Sequence, residues 1–270
     1  MKNKRVAFIG SGNMAEALIK GLVRSGLLEA SSITACDRDP ARLEHLAKTY
    51  GVGTSKKNGE GARSAGVLIV AVKPANVQDA LESIRASVDP SKLVLSIAAG
   101  VKLSSLETAL GEGVPVIRAM PNGPALAGCG MSAVCGGSSV SVDGMEEAKA
   151  LLGAVGDVIE VEEGMMDAVT AVSGSGPAYF FYLVEALENA AVAAGFSPAV
   201  ARRLAVKTAA GSMSWLEETG SSPEELRIKV MSPGGTTEAA IGFLEERDFT
   251  GLVAGAVEAA IARSRELGGD

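Results

Sequence analysis

Near the beginning of the sequence stand Val6-Ala7-Phe8-Ile9-Gly10-Ser11-Gly12-Asn13-Met14-Ala15, a short apolar run that leads into a G-x-G-x-x-A motif. Apolar side chains continue at helical spacing through Leu18 and Leu22, so this segment predicts a strand, a tight turn and a helix. In such a turn the first glycine permits the bend, the second lets the backbone approach a pyrophosphate, and a small last residue allows close helix packing. The segment therefore predicts a dinucleotide-binding turn, with a purely structural glycine turn as the alternative.

Short apolar runs alternate with amphipathic helical segments through about residue 160. Uninterrupted apolar strands that alternate with helices are typical of a parallel sheet covered by helices on both faces. The fold class is therefore predicted as α/β, with an N-terminal Rossmann-like domain. The predicted strands comprise residues 5–9, 33–36, 67–71, 93–97, 114–118, 131–135 and 158–161.

The pattern changes after residue 164, where no further strand is predicted and the helical segments become longer. A change from alternating elements to helices alone indicates a second domain. The sequence thus divides into a dinucleotide-binding domain at residues 1–163 and an all-α domain at residues 164–270. The predicted helices of the second domain comprise residues 178–194, 198–219, 223–230, 236–246 and 251–267.

The first long helix of the second domain carries few strongly polar residues between positions 179 and 194, namely Glu185, Glu188 and Asn189. A helix that is apolar nearly all round must be covered on most sides, and a small domain offers limited cover. We therefore expect a homo-oligomer that is built on the helical domain and is at least an isologous dimer.

Composition excludes several kinds of chemistry. The 270 residues include 47% hydrophobic residues and carry a formal net charge of −7, which indicates a globular fold that does not bind nucleic acid. His45 is the single histidine, and Cys36, Cys129 and Cys135 are scattered, so no metal site, disulfide framework or Ser-His-Asp triad is expected. Because no segment is typical of a signal peptide or of a membrane span, we expect a cytoplasmic protein without a membrane partner.

The ends of the predicted strands carry conflicting signals about the cofactor. Asp37 stands where an acidic residue commonly binds the ribose 2′-hydroxyl of NAD, whereas the guanidinium of Arg38 suits the 2′-phosphate of NADP. The spacing of these residues alone does not decide between NAD and NADP. Lys73, after the strand at residues 67–71, is expected either beside the nicotinamide or at the surface before a proline turn.

Three further segments are rich in glycine, serine and proline, at residues 118–124, 173–177 and 232–237. The last two precede predicted helices, so each offers hydroxyl groups and unpaired N–H groups to a carboxylate. Plain N-capping by serine or threonine is the alternative for either segment alone. Together with a cofactor domain, the two segments favour a shared site for a small anion.

The helix after the glycine-rich turn at residues 173–177 lacks the proton-transferring residues that dehydrogenases with a similar two-domain organisation carry there. The β-hydroxyacid dehydrogenases place a catalytic lysine and, four residues later, an asparagine on the helix after a similar turn. Those positions fall on Phe180 and Val184, which transfer no proton. Since alcohol oxidation needs a base and reduction of a protonated imine does not, the sequence favours imine reduction.

The sequence resembles pyrroline-5-carboxylate reductase over nearly its whole length. The resemblance rests on residues 9–15, 71–74, 120–122, 167–170, 173–179 and 232–237, of which the last segment carries the family's signature. It implies the reduction of 1-pyrroline-5-carboxylate to L-proline with NADPH, or with NADH, as the last step of proline biosynthesis. It also implies a helical dimerisation domain and a homodimer, often assembled into a decamer.

The resemblance also implies the site residues. Thr237, Ser232 and Glu163 are the catalytic candidates, and Thr237 also binds substrate together with Ser175, Gly235 and Thr236. Ser222 and Ile228 depart from the family pattern and leave the substrate and cofactor preference open. The implied cofactor-binding residues, with those taken from the strand ends, are Gly10, Ser11, Gly12, Asn13, Met14, Ala15, Asp37, Arg38, Asn58, Ala71, Lys73, Pro74, Ser96, Ile97, Ala98 and Asn122.

Two other functions are compatible with part of these observations. One is a reductase for a different imine or a keto acid on the same scaffold. The other is a non-catalytic dinucleotide-binding regulator, against which the second anion-binding segment at residues 232–237 argues.

Overall fold

A computed structural model describes residues 4–268, and contacts within the chain divide it into two compact units. The first unit contains residues 4–175 and 260–268, and the second contains Gly176–Ala259. The domain boundary predicted at residues 163 and 164 lies just after the last strand of the first unit and stays a prediction.

The first unit is built on one eight-stranded sheet with the strand order β3-β2-β1-β4-β5-β6-β7-β8. All neighbouring strands are parallel except β6 and β7, which pair antiparallel with Ile117 opposite Gly136. The expected α/β class with a Rossmann-like sheet is confirmed, although the expectation of a wholly parallel sheet is wrong at this one pair. The strands are β1 (Val6–Ile9), β2 (Ile33–Cys36), β3 (Gly53–Ser55), β4 (Val67–Val70), β5 (Leu93–Ser96), β6 (Val116–Pro121), β7 (Gly130–Gly136) and β8 (Gly156–Glu160).

Helices cover both faces of the sheet, and the alternation of side chains along a strand explains why. On β1, Val6 and Phe8 belong to one apolar cluster, and Ala7 and Ile9 belong to another on the opposite face. The neighbouring strands β1 and β4 are therefore apolar at every position. The helices of the first unit are α1 (Asn13–Arg24), α2 (Pro40–Tyr50), α3 (Asn58–Ser64), α4 (Val77–Ile84), α5 (Leu103–Leu110), α6 (Val142–Leu152) and α7 (Met166–Val169).

A π-helix at Thr170–Gly174 continues α7, and the helical unit begins at Gly176, after the intervening Ser175. Its helices are α8 (Gly176–Ala193), α9 (Pro198–Thr219), α10 (Pro223–Lys229), α11 (Thr236–Glu245) and α12 (Phe249–Gly268), whose last residues belong to the first unit. The predicted helices agree with these bounds to within two residues at every end. Between residues 4 and 268, no helix combines the length and the apolar character that a bilayer span requires.

Candidate active site

The strand order places a crevice at the carboxyl ends of β1 and β4. The chain leaves β1 towards β2 on one side of the sheet and later returns to β4 on the other side, which is the switch point where ligands bind in open α/β sheets. A cavity of about 380 Å³ lies there. Its lining includes eight of the sequence-predicted cofactor residues, Gly10, Ser11, Gly12, Asp37, Arg38, Asn58, Ala71 and Lys73.

The glycine turn between β1 and α1 has the backbone that its sequence requires. Gly10 has a φ of +87°, and a Cβ at this position would lie 2.6 Å from Cγ1 of Val72. Both the backbone conformation and the lack of space therefore exclude a side chain. A Cβ on Gly12 would meet no atom within 4 Å. The N–H groups of the first turn of any helix have no intrahelical acceptor. In α1 they also receive no side-chain cap, because the N-cap residue is Gly12. Open space and free donors therefore coincide at this turn.

Asp37 is tied to the turn by its carboxylate. Its Oδ2 accepts a hydrogen bond from the Ser11 N–H at 2.9 Å, and its Oδ1 accepts one from the Asp39 N–H at 3.0 Å. Both oxygens thus have backbone donors. Arg38, by contrast, is exposed at the cavity and makes no ion pair within residues 4–268.

Sequence reasoning missed Lys56, which lines the same cavity and is exposed. It lies in the short connection between β3 and α3, two residues before Asn58. The three-residue strand β3 contains a glycine and no long apolar run, so no sequence pattern indicates that this connection reaches the strand ends. The other lining residues missed from the sequence are Val72, Asn76, Asp79 and Ala80.

The remaining predicted cofactor residues lie outside this lining. Asn13, Met14 and Ala15 form the first turn of α1, and Pro74 begins a short 3₁₀ helix. Ser96, Ile97 and Ala98 stand at the carboxyl end of β5, next to β4, where Ser96 and Ala98 are buried.

Asn122 is engaged within the protein. Its Nδ2 donates to the carbonyl oxygen and to Oγ of Ser173, each at 3.2 Å, and its Oδ1 accepts from the Met131 N–H at 2.9 Å. Asn122 therefore ties the end of β6 to β7 and to the π-helix.

The segment at residues 173–177 differs from its prediction. The sequence predicts a glycine-rich turn with free N–H groups before a helix, but the structure has a π-helix at Thr170–Gly174. The Ser175 N–H donates to the Thr170 carbonyl at 2.8 Å, so it is not free for a carboxylate. A Cβ on Gly174 would lie 2.7 Å from Cε of Met120, and this close approach explains the glycine. π-helical turns occur frequently at functional sites.

Glu163 bridges two elements of the first unit. Its Oε1 accepts from the Leu103 N–H at 2.7 Å, at the start of α5, and from Nη1 of Arg118 at 3.1 Å. The Arg118 side chain is only 7% exposed, so this ion pair neutralises a buried cation of β6. The catalytic role implied for Glu163 stays a prediction.

The signature segment of the helical unit, residues 232–237, forms a tight turn before α11. Gly234 has a φ of +69° and donates its N–H to a carboxylate oxygen of Glu238 at 2.6 Å, and the Gly235 N–H donates to the Ser232 carbonyl at 2.9 Å. Thr236 and Thr237 form the first turn of α11, which has no side-chain cap. Their hydroxyl and N–H groups therefore stand together at a helix N-terminus.

Two of the three cysteines, Cys36 and Cys135, are buried and poorly suited to act as nucleophiles. Burial raises the pKa of the Cys36 and Cys135 thiols to about 11, with nearby carboxylates adding to the shift, so both stay protonated near neutral pH. Between residues 4 and 268, no three His, Cys, Asp or Glu side chains form a cluster suited to a metal ion.

Comparison with known proteins connects both units to one family. The family model described as "Pyrroline-5-carboxylate reductase dimerisation" matches residues 163–267, and the model described as "NADP oxidoreductase coenzyme F420-dependent" matches residues 5–100. The chain is 41% identical to pyrroline-5-carboxylate reductase of Corynebacterium melassecola, covering 97% of this chain and 98% of that protein. It is 42% identical to the enzyme of the same name from Synechocystis sp., with 98% of each chain covered.

Solved structures agree with the sequence comparison. A pyrroline-5-carboxylate reductase from Coxiella burnetii superposes with a TM-score of 0.94 at 35% identity, over 98% of this chain and 99% of that chain. Pyrroline carboxylate reductase of Plasmodium falciparum, solved with NADP bound, superposes with a TM-score of 0.88 at 29% identity, over 99% of both chains. The resemblance and the oxidoreductase function expected from the sequence are thereby confirmed. The chain belongs to the pyrroline-5-carboxylate reductase family and is an NAD(P)H-dependent oxidoreductase whose residues 163–267 match the dimerisation model of that family.

Proposed function

We propose that this chain reduces the C=N bond of 1-pyrroline-5-carboxylate to form L-proline, with NADPH bound in the crevice beyond β1, β2 and β4. One observation carries the cofactor site: the glycine turn that leads into α1 and three exposed cations, Arg38, Lys56 and Lys73, border one cavity. Family membership supports the reaction and its substrate.

The residues present fit a dinucleotide. The space in front of Gly12 would be filled by any side chain there, and the first-turn N–H groups of α1 point out of the helix end as donors for a pyrophosphate. NADPH supplies the hydride for the reduction when it is bound. The protein's contribution is to bind the cofactor and to orient the imine beside it.

The position of Asp37 favours NADPH over NADH. Because both of its carboxylate oxygens accept backbone hydrogen bonds, Asp37 supports the turn and is poorly available to a ribose 2′-hydroxyl. Arg38 and Lys56 lie at the same cavity and form no ion pair with another residue of the described range 4–268, so their positive charges suit a 2′-phosphate.

Residues 232–237 are proposed to bind the substrate. Ser232 and Thr236 would hold the carboxylate with their hydroxyl groups and with the N–H groups at the start of α11, and Thr237 would hold the ring nitrogen. Gly235, whose N–H donates to the Ser232 carbonyl, would contribute through its lack of a side chain, since a Cβ there would lie 2.5 Å from Oγ of Ser232. Ser175 is proposed to contact the substrate through its hydroxyl, since its N–H is engaged. The imine nitrogen carries its own proton when the imine is protonated, so no histidine base is required.

The helical unit is proposed to form a homodimer, in agreement with the matched dimerisation model. Its first helix leaves Phe180, Phe181, Tyr182 and Leu183 exposed. Assembly beyond a dimer and the cytoplasmic location stay predictions from the sequence.

The test is oxidation of NADPH, followed by its absorbance, with 1-pyrroline-5-carboxylate as substrate. We expect steady turnover, and Thr237→Ala should lower kcat/KM about ten- to a hundred-fold because one oriented hydrogen-bonding group is lost. Thr108→Ala, on the exposed side of α5, is the matched control and should leave the rate unchanged.

Two results would contradict this function, and a third would contradict the role of Thr237. Faster turnover of a different cyclic imine or a keto acid would indicate another reductase, and NADPH binding without turnover of any of these substrates would indicate a regulator. A kcat/KM that stays the same in Thr237→Ala would remove Thr237 from the site.

A further inference from the structure

Four side chains join α1 to α2 beside the glycine turn, and none of them lines the cofactor cavity. Glu16 of α1 accepts from Nη2 of Arg42 at 2.6 Å, lies 2.9 Å from Nε2 of His45, and accepts from the Tyr50 hydroxyl at 2.9 Å. The single histidine of the chain is therefore part of this cluster.

Arg42 also reaches the backbone of the turn. Its Nε donates to the Ser11 carbonyl at 2.5 Å, and its Nη2 donates to the Gly12 carbonyl at 3.1 Å. One guanidinium thus binds two consecutive carbonyl groups of the G-x-G segment through Nε and Nη2, and Nη2 also binds the Glu16 carboxylate. Such a planar, multiply bonded guanidinium has little freedom.

These contacts fix the direction of two amide groups. In a trans peptide the C=O and the following N–H point in opposite directions, and no cis peptide bond occurs in residues 4–268. Binding of the Ser11 carbonyl to Arg42 therefore turns the Gly12 N–H away from Arg42. Binding of the Gly12 carbonyl does the same for the Asn13 N–H.

Glu16 keeps Arg42 in place. Burial alone would raise the pKa of this carboxyl group, but hydrogen bonds from His45, Tyr50 and Arg42, with the charge of Arg42, lower it to about 2. Glu16 is therefore ionised throughout the neutral range. Its negative charge near the start of α1 is balanced by the guanidinium, whereas an unpaired carboxylate there would repel a phosphate.

We propose that Arg42, anchored by Glu16, is a positioning residue for NADPH: it holds the Ser11 and Gly12 carbonyls so that the Gly12 and Asn13 N–H groups stay directed towards the pyrophosphate. Arg42 does not touch the cofactor in this role. The role presupposes the NADPH site proposed above.

The first experiment compares Arg42→Met and Arg42→Lys with the native protein. NADPH affinity is measured by the fluorescence of the bound cofactor, and kcat and both KM values are measured with 1-pyrroline-5-carboxylate. Arg42→Met should raise the Kd and KM for NADPH about 10- to 100-fold, because two charge-assisted hydrogen bonds to the turn are lost, while kcat at saturating NADPH changes less than threefold. Arg42→Lys keeps the charge but cannot bind both carbonyls, so it should restore only part of the affinity.

Two controls on α2 match these variants in charge. Lys48→Met removes a cation that pairs with Glu44 at the surface, and Glu44→Gln removes that partner. Neither residue contacts the turn, so both should leave the Kd for NADPH unchanged.

Glu16→Gln separates positioning from charge. A purely electrostatic effect predicts tighter NADPH binding, because a negative charge near the pyrophosphate is removed. Loss of the Arg42 anchor predicts weaker binding, by about three- to tenfold, and this is the expected result.

The outcomes distinguish this role from the function it presupposes. A native protein that does not bind NADPH overturns the proposed function together with the role of Arg42. Normal NADPH binding by the native protein with an unchanged Kd in Arg42→Met, full recovery in Arg42→Lys, or tighter binding by Glu16→Gln each overturns the role of Arg42 alone.

Discussion

At the residue scale, Arg38 and Lys56 should decide whether the protein prefers NADPH or NADH. Replacing either residue by alanine removes one charge-assisted contact to the 2′-phosphate of NADPH. The double variant Arg38→Ala with Lys56→Ala should therefore raise the KM for NADPH at least about tenfold. The KM for NADH, which lacks that phosphate, should change little. Steady-state kinetics with both cofactors measure the difference.

The neighbouring Lys57 provides the control for this double variant. It pairs with Glu60 at 3.3 Å and is absent from the cavity lining, so Lys57→Ala should affect neither cofactor. An equal loss for NADPH and NADH in the double variant would show that the two cations bind a part common to both cofactors.

At the residue scale, contacts between positions far apart in the sequence leave no local pattern from which they could be predicted. The conflict between Asp37 and Arg38 could not be resolved from spacing, because the Ser11 N–H that binds Asp37 lies 26 residues away. The hydrogen bonds of Asn122 to Ser173 leave no local pattern for a similar reason, since they span 51 residues. The cofactor contact of Asn122 stays a prediction. Local patterns predict the residue types of a site but not the partners that the fold brings to them.

Helix α1 provides the prediction at the scale of elements. Gly21, in the middle of this helix, faces the segment between α6 and β8, where a Cβ would lie 2.6 Å from the Ala154 carbonyl oxygen and 2.5 Å from Cγ1 of Val155. Replacing a helical glycine by alanine ordinarily stabilises a protein by up to about 1 kcal/mol. Here the overlap with backbone should reverse the sign, so Gly21→Ala should lower the free energy of unfolding by about 1–3 kcal/mol in urea denaturation.

Gly144 of α6 is the matched glycine for that comparison. The nearest atom to a Cβ there is Oγ of Ser141 at 3.4 Å, an ordinary contact. Gly144→Ala should therefore be neutral or stabilising. A Gly21→Ala variant as stable as Gly144→Ala would contradict the close packing of α1 against residues 153–155.

Elements with a strong periodic pattern were predicted well, and weak or unusual ones were not. Residues 33–36 and 198–219 were predicted with the observed limits, because an apolar run or a long helical pattern ends at clear turn residues. The strand β3 has only three residues, two of them exposed, and owes its existence to pairing with β2. The antiparallel direction of β7 and the π-helix at Thr170–Gly174 likewise depend on tertiary contacts that leave no period in the sequence.

The whole molecule is expected to be at least a dimer, held together by the exposed apolar side chains of α8. Phe181 and Tyr182 are 72% and 73% exposed in the single chain, and large aromatic side chains contribute strongly to interfaces. Phe181→Glu should therefore shift the protein from dimer to monomer in light scattering at micromolar concentration and lower its reductase activity.

Leu126, which is 50% exposed in the first unit, is the control for a new charge on an apolar surface residue. Leu126→Glu should leave the oligomeric state unchanged. A native protein that is a stable monomer, or a Phe181→Glu variant that remains a dimer, would contradict the expected role of α8.

The path of the chain through its two units has a consequence for synthesis. Residues 260–268 belong to the first unit, where the buried Ser264 donates a hydrogen bond to Asp167 at 2.6 Å, although the whole of Gly176–Ala259 separates these residues from Ser175. A ribosome therefore completes the helical unit before it delivers the last helix segment that the sheet domain needs. The cofactor-binding unit can reach its final packing only after the helical unit has been translated. Although its synthesis begins first, the cofactor-binding unit is therefore the second of the two to be completed.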